Sequence, residues 1–591
     1  MGRIEGDRFA FGPSQTAGGT ELRVWAPGKR KVSVRLGDGR ELEMTGEELG
    51  FWRLDTPLDA GERYCFILDG KGPYPDPASR YQPEGISGLS EITDRDSYSW
   101  GQAGWKGIEL GEFVIEEVHT GTFTPGGTFD SAVEKLESVA STGITAIELM
   151  PVAQFHGARN WGYDGVLLYA PHNSYGNPDD LKHLVDNIHA AGMAAILDVV
   201  YNHIGPAGGF LSEFGPFLSR RHSTPWGAGL NYDGEMCDPV REHVIRNALY
   251  WVDEFRFDAL RLDAIHGILD TSPEHLLSEM SRRVASFSAA SGRKIYLIAE
   301  SDLNDSMVVR GRGECGYGLD AQWNDDFHHS VHTYITGENA GYYSDYSGAA
   351  DIASSLLNGF VYDGKYSANL SRRRGAPWGD LPFMKLVACV QNHDQIGNRA
   401  FGERLTALAD RGKVRFAASL LLLSPFTPML FQGEEYGETA PFLFFIDTDD
   451  TEFARRVREG RRREFERFGW TDTPDPVSAE TFMASKLRWN EDEGSEKSRA
   501  MYRKLTSLRR RYITTQPGRH SFVQADGVGE LAYGSGMKVF ISLCGGERRI
   551  DAGEDTALVF HSESAEYGGA YSAPGGGRFT LHPYSVAAVA R

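Results

Sequence analysis

At 591 residues the chain is too long for one ordinary core, and a prior of roughly 150 residues per domain points to two to four domains, fewer if one is a large barrel. Its formal charge of −21 argues against a polyanionic partner, because nucleic-acid binding draws on clustered basic surface. Hydrophobic residues at 41% and charged residues at 24% exclude disorder as the default.

The N-terminal MGRIEGDRF has no apolar core of a signal peptide, and no later stretch offers about 18 uninterrupted apolar residues. Neither membrane nor nucleic acid is therefore expected as a partner, and a cytoplasmic location is. Arg3 to about Ser99 alternates in strand fashion (ELRVWAP, KVSVRLGDG, FWRLD, YCFILDG), each run closed by Gly, Pro or Asp. This predicts an N-terminal β-sandwich over 1–105, joined to the rest by the stiff connector PYPDPASRYQPEG.

From Phe113 the pattern changes to short apolar strands separated by helical stretches, which marks βα units. Eight strands are read: FVIEEVHTG, ITAIELMPV, AAILDVVYNH, ALRLDAIH, IYLIAES, LDAQWNDDF, LVACVQNHD and PMLFQGEE. Eight such units predict an α/β fold, a closed (β/α)₈ TIM barrel over 106–513, with its site at the C-terminal strand ends. Asp238-Pro239 and Ser272-Pro273 read as helix caps with a first-position proline. The long connection at about 204–239, after strand three, reads as a lid. Beyond Thr514, short strands (ELAYG, MKVFISL, TALVFHS) predict a C-terminal β-domain over 514–591, in which GGAYSAPGGGR is a loop. Cys65, Cys237, Cys315, Cys389 and Cys544 lie far apart and are odd in number, so no disulfide set is expected. Cys315 is the candidate for an intermolecular bridge, and monomer and homodimer both stay open.

Polar residues recur at the predicted C-terminal strand ends: Asp198, Asn202 and His203; Arg261, Asp263 and His266; Glu300; Asn392, His393 and Asp394. Four strands bringing carboxylates to one rim is costly for stability alone, so the rim reads as functional. Glycoside hydrolysis needs two carboxyl groups, one protonated and one ionised. Asp263 shares a strand face with Arg261, a positive neighbour that favours the ionised form of a nucleophile. Glu300 follows the apolar YLIA and suits a general acid. Asp394 is the third carboxylate, placed to hold ring hydroxyls. Tyr163 and Asp164 in WGYDG could stack on and hydrogen-bond a sugar, or form a turn with a core tyrosine. Trp226 could line the cleft or anchor the lid.

DVVYNH at 198–203, LRLDAIH at 260–266, IAESD at 298–302 and QNHDQIGNR at 391–399 resemble the four ordered motifs of the α-amylase superfamily of glycoside hydrolases. That resemblance implies a retaining mechanism with Asp263 as nucleophile, Glu300 as acid/base and Asp394 as transition-state stabiliser. It also implies that His203, Arg261 and His393 hold the sugar in the cleaved subsite. Within the superfamily, HTGTFTPGGTF, ELMPVAQFHGARNWGYDGV, AQWNDDFHHSVHTYITGENAGYY and FQGEEYGE are similar to the maltooligosyltrehalose trehalohydrolases. These hydrolyse the α-1,4 bond next to a terminal trehalose. On that similarity, further substrate contacts are Asp198, Leu262, His266, Phe327, His328, His329, Gln395 and Asn398, with maltooligosyltrehalose or a related α-glucan as ligand. Ala259 and Glu116 depart from the family's usual Gly and aromatic, which puts local loop geometry in question.

No cofactor and no metal are expected: His328 and His329, if on a strand, point opposite ways. The acidic DTDDTEF near 447 reads as a solvated loop. Two rivals remain open, a 1,4-α-glucan branching enzyme using the same three carboxyl groups, and a non-catalytic glucan-binding protein.

Overall fold

A computed structural model describes residues 9–16, 18–466, 473–515, 520–571 and 577–591. The first eight residues of the N-terminal stretch and the middle of GGAYSAPGGGR lie outside these. Eight parallel strands close into a barrel in chain order: β1 Ile115–Val118, β2 Ala146–Leu149, β3 Ala194–Val199, β4 Ala259–Leu262, β5 Tyr296–Ala299, β6 Ala321–Trp323, β7 Leu386–Cys389 and β8 Thr427–Phe431. The last strand returns to the first with Ile115 opposite Met429. Ile115, Ala146, Ala194, Ile196, Ala259, Ile298, Ala321 and Met429 form one buried cluster. It plugs the barrel interior away from the strand ends, so polar groups concentrate at the other end.

On the N-terminal side, two antiparallel sheets face each other, one built on Gly19–Trp25 and Phe51–Leu58, the other on Val32–Leu36 and Arg63–Leu68. The C-terminal side carries a five-stranded antiparallel sheet centred on Lys538–Ser542 and Val586–Ala590, with a two-stranded ribbon beside it.

Four local readings need correction. The helix Cys237–Glu254 is entered from Met236 at φ 58, which leaves Asp238 and Pro239 inside its first turn. The next helix starts at Leu276, capped by the His275 side chain, because Asp270 takes the Leu276 N–H and holds Ser272-Pro273 in the preceding loop. Residues Asp325–Thr336 form a helix, so His328 and His329 are neighbours on a helix and not on a strand. Finally, DTDDTEF docks: Asp447 accepts from the Ala158 N–H and pairs with Arg159, and Asp450 starts a helix over Thr451–Glu466. Ala259, the departure on β4, lies outside the left-handed region; Arg256 (φ 60) and Ala264 (φ 38) occupy it instead.

The lid is a hairpin, Leu218–Thr224 paired with Gly227–Leu230, whose turn carries Trp226. A bridge from His203 to Gly229 ties it to the end of β3. No described helix is long and apolar enough to cross a membrane.

Candidate active site

A cleft of about 770 Å³ opens at the C-terminal strand ends, and Asp263, Glu300 and Asp394 all line it. Each is delivered differently. Asp263 directly follows β4 and is gripped from three sides. Arg261 Nη1 donates to its Oδ1 at 2.8 Å, Asn202 Nδ2 to its Oδ2 at 2.8 Å and to its carbonyl at 2.9 Å, and its own N–H bonds Val199. The next residue, Ala264, sits at φ 38, an unfavourable position for a residue with a Cβ. That turn aims the Ala264 N–H at Glu300 Oε2, 2.6 Å away, coupling the two carboxyl-bearing strands.

Glu300 ends β5 with its side chain largely buried. Burial pushes its carboxyl well above the usual range; Arg261 opposes this, while the Asp263, Asp325 and Asp394 charges add to it. A carboxyl held neutral beside an ion-paired carboxylate is the asymmetry that acid-assisted glycosidic cleavage requires. Asp394 lies in the first turn of the short helix His393–Gly397, more open than the other two, with Asn398 Nδ2 at 3.2 Å and His393 Nε2 at 3.6 Å.

Behind these groups is a buried support. Arg261 is fully buried, with its guanidinium over the Trp323 ring at 4.2 Å. Its Nη1 also donates to Asp198 Oδ2 at 2.7 Å, and Tyr163 OH donates to the same oxygen at 2.7 Å. Burial raises Asp198 to about 6 against the lowering influence of Arg261. Tyr163 stacks on His393, ring centroids 5.1 Å apart, and both line the cleft. Trp226 reaches over from the lid and stacks on His203 at 5.7 Å. At 49% exposed it lines the cleft and does not serve as a buried anchor.

Of the residues singled out from sequence, the cleft wall takes in Asp263, Glu300, Asp394, Tyr163, Asp164, His203, Trp226, His266, His329, His393, Gln395 and Asn398. Seven others do not reach it, among them Asn202, which donates to Asp263 Oδ2, and Asn392, which caps the His393–Gly397 helix. Asp198 and Arg261 lie beneath, as support. Leu262 alternates with Arg261 on β4 and packs outward in the apolar core. Phe327 packs on Phe426 at 5.4 Å, and His328 is buried against His332, because helix periodicity turns both away from the cleft and leaves His329 facing it.

Sequence reasoning missed a second polar wall. Arg374 donates to the Asp302 carbonyl (2.8 Å) and to Tyr346 OH (3.0 Å), and buried Asp326 fixes that loop through Asn304, Tyr346 and the Val361 and Tyr362 N–H groups. Asp325 is a further carboxyl in the cleft, raised to about 7 by burial, with Arg374 opposing. Phe444, Phe453 and Arg461 line the cleft as well. Among the described residues, no group of three or more His, Cys, Asp or Glu side chains is arranged to hold a metal ion.

Comparison with known proteins places this geometry in context. Residues 87–213 match the model of the alpha-amylase catalytic domain. The chain is 44% identical over 531 residues to a malto-oligosyltrehalose trehalohydrolase of Arthrobacter ramosus, covering 88% of this chain and 92% of that one. It is 45% identical over 507 residues to that of Saccharolobus solfataricus, covering 85% and 87%. A 1,4-alpha-glucan branching enzyme of Corynebacterium jeikeium is 28% identical over 74% of this chain and 64% of its own length. Among solved structures, a Salmonella typhimurium protein described as an alpha amylase candidate superposes with a TM-score of 0.90 at 38% identity, covering 98% of this chain and all of that one. A pullulanase from Anoxybacillus sp. LM18-11, complexed with maltotetraose, shares the fold at a TM-score of 0.72 and 17% identity, covering 99% of this chain and 87% of that one.

Proposed function

From the premise that this chain belongs to the malto-oligosyltrehalose trehalohydrolase family of glycoside hydrolases, we propose that its cleft hydrolyses the α-1,4 bond beside the terminal trehalose of a maltooligosyltrehalose. Asp263 attacks the anomeric carbon while Glu300 protonates the departing oxygen, so trehalose leaves and a glycosyl ester forms on Asp263. Glu300, now ionised, takes a proton from water. The hydroxide so generated attacks the same carbon, releasing the maltooligosaccharide with its α configuration and restoring both carboxyl groups. Asp394 and His393 hold ring hydroxyls, and Tyr163 offers its face to the sugar in the cleaved subsite.

The observation that carries this reading is the unequal pair: Asp263 ion-paired to Arg261 at 2.8 Å, and Glu300 buried and pushed up, both on one cleft. The Asp302–Arg374 wall adjoins Glu300 and so borders the space for the departing trehalose. We take the domain limits as 1–105, 106–513 and 514–591. The setting is taken as cytoplasmic, in keeping with five free cysteines.

Incubating the purified protein with maltotriosyltrehalose and with amylose tests the reading. Trehalose and maltotriose from the first substrate, with the α-anomer of maltotriose appearing first by NMR, is the expected outcome. New α-1,6 branches in amylose would favour the branching alternative, and bound but unchanged sugar would favour a binding protein.

A further inference from the structure

We propose that Glu117 is a positioning residue of the cleft: its carboxylate fixes the buried His393 as an imidazolium whose Nε2–H faces the sugar beside Asp394. This rests on the reading of His393 as a sugar contact in the cleaved subsite.

Glu117 lies on β1, wholly buried, and it spends both oxygens on one residue. Oε2 accepts from the His393 main-chain N–H at 2.9 Å, and Oε1 meets His393 Nδ1 at 2.5 Å. The two bonds set the backbone and the ring of His393 together. Trp161 (5.6 Å, edge-on) and Tyr163 (5.1 Å, stacked) fill the space around the ring, so it has no room to turn. With Nδ1 committed to a carboxylate, Nε2 is left toward Asp394 Oδ1 at 3.6 Å.

The neighbouring strand supplies a control within the same barrel. Glu148 on β2 is directly opposite Glu117 in register and equally buried, yet among the described residues neither of its carboxyl oxygens has a hydrogen-bond partner. Burial, together with the Glu117 and Asp198 charges, drives it well above the usual carboxylate range. Of these two adjacent buried carboxyl groups, His393 binds the first and not the second.

The groups facing His393 are Glu117 from β1, Glu148 from β2, Arg261 from β4, Asp394 from its own helix, and His119 at the end of β1. Burial and Arg261 disfavour its proton; Glu117 and Asp394 favour it, and the balance carries His393 up to about 9. His119, with no carboxylate on its ring, is driven down to about 4 by burial. A charged imidazole is a stronger and directionally fixed donor to a sugar hydroxyl than a neutral one free to choose its tautomer. It also places a cation beside the third carboxylate of a crowded acidic cleft.

The test is Glu117→Gln, which keeps an acceptor for the main-chain N–H and removes the charge. Imidazole ¹⁵N NMR should find His393 protonated at pH 7 to 8 in the native protein and neutral in the variant. In the variant, kcat/KM for trehalose release should stay within about tenfold of native at pH 5, then fall with an alkaline limb displaced by roughly two pH units toward acid. Glu117→Asp, which keeps the charge, should retain the native limb. A neutral His393 at pH 7 in the native protein, or a Gln variant whose loss is uniform across pH, overturns the proposal. The native titration alone decides it if the variant does not fold. Should the titration behave as stated while trehalose is never released, the glycosidase reading falls and the positioning role stands; normal release with a neutral His393 does the reverse.

Discussion

Two clusters of acidic side chains in the barrel differ in what their burial leaves open. The cleft cluster, Asp263, Glu300 and Asp394, is threaded with cations: Arg261 touches one carboxylate at 2.8 Å and approaches another at 3.8 Å, and His393 stands beside the third. The second cluster, Glu116, Glu434 and Glu435, belongs to β1 and the turn after β8, is buried, and does not line the cleft. Glu434 is covered by Gln391 (3.0 Å), the Phe431 N–H (3.3 Å) and Tyr502 OH (3.1 Å), and burial pushes it to about 7. Burial also drives Glu116 well up, reinforced by the Glu435 charge. A buried carboxyl is thus weak grounds for chemistry by itself. What separates a working acid from a sealed one is an open face toward a cleft, since Arg404 and Arg499 act on Glu435 as well without giving it one.

That contrast breaks most sharply at Asp263. Asp263→Asn removes the proposed nucleophile and keeps shape, so trehalose release should fall on the order of 10⁴-fold or more while the thermal unfolding midpoint stays near native. A near-native rate would move the chemistry off this residue. A smaller effect is expected at the rim. Trp226→Ala strips a half-exposed ring from the lid and costs no core packing. A loss of about 1 kcal/mol of stacking should lower kcat/KM by roughly fivefold, mainly through KM, measured on maltotriosyltrehalose. An unchanged KM would return Trp226 to a role in the lid alone.

The sequence announces the open cluster far better than the sealed one or the supports, and the reason is locality. Arg261 lies on β4 and Asp263 directly follows it, two residues on, and Glu300 closes an apolar run, so pattern and chemistry coincide within a few residues. Glu117 and His393 are 276 positions apart, and only closure of the barrel joins them. The eight strands are readable because each is a short apolar run between helical stretches. His328 and His329 misread as strand because the run AQWNDDF continues past the strand end, although Asp325 and Asp326 carry the acidic signature of a first helical turn. Thr451–Glu466 was also there to be read: Arg455 pairs with Glu452 and Glu459 at helical spacing, and Asp450 caps the start. Its charge density reads as a solvated loop only when that periodicity is ignored, and the second polar wall of the cleft, built from loops, has no period to find.

The finest test lies in the sealed cluster, where stability should respond to pH and catalysis should not. Glu435 is raised from 4.5 to about 7, burial being the main cause. Its folded-state pKa exceeds its unfolded one, so its contribution is fully present below about 4.5 and is lost as pH rises through 7. Over that window the group costs about 1.4 kcal/mol of stability per pH unit. Glu435→Gln cannot ionise, so its denaturant-derived stability should decline less steeply than native between those limits, by about that slope. Its kcat should remain native, because Glu435 touches neither the cleft nor Arg261. An equal slope in both proteins would mean that Glu435 is already ionised in the fold, and the neutral pairing with Glu116 that keeps this cluster apart from the one at the cleft would fall.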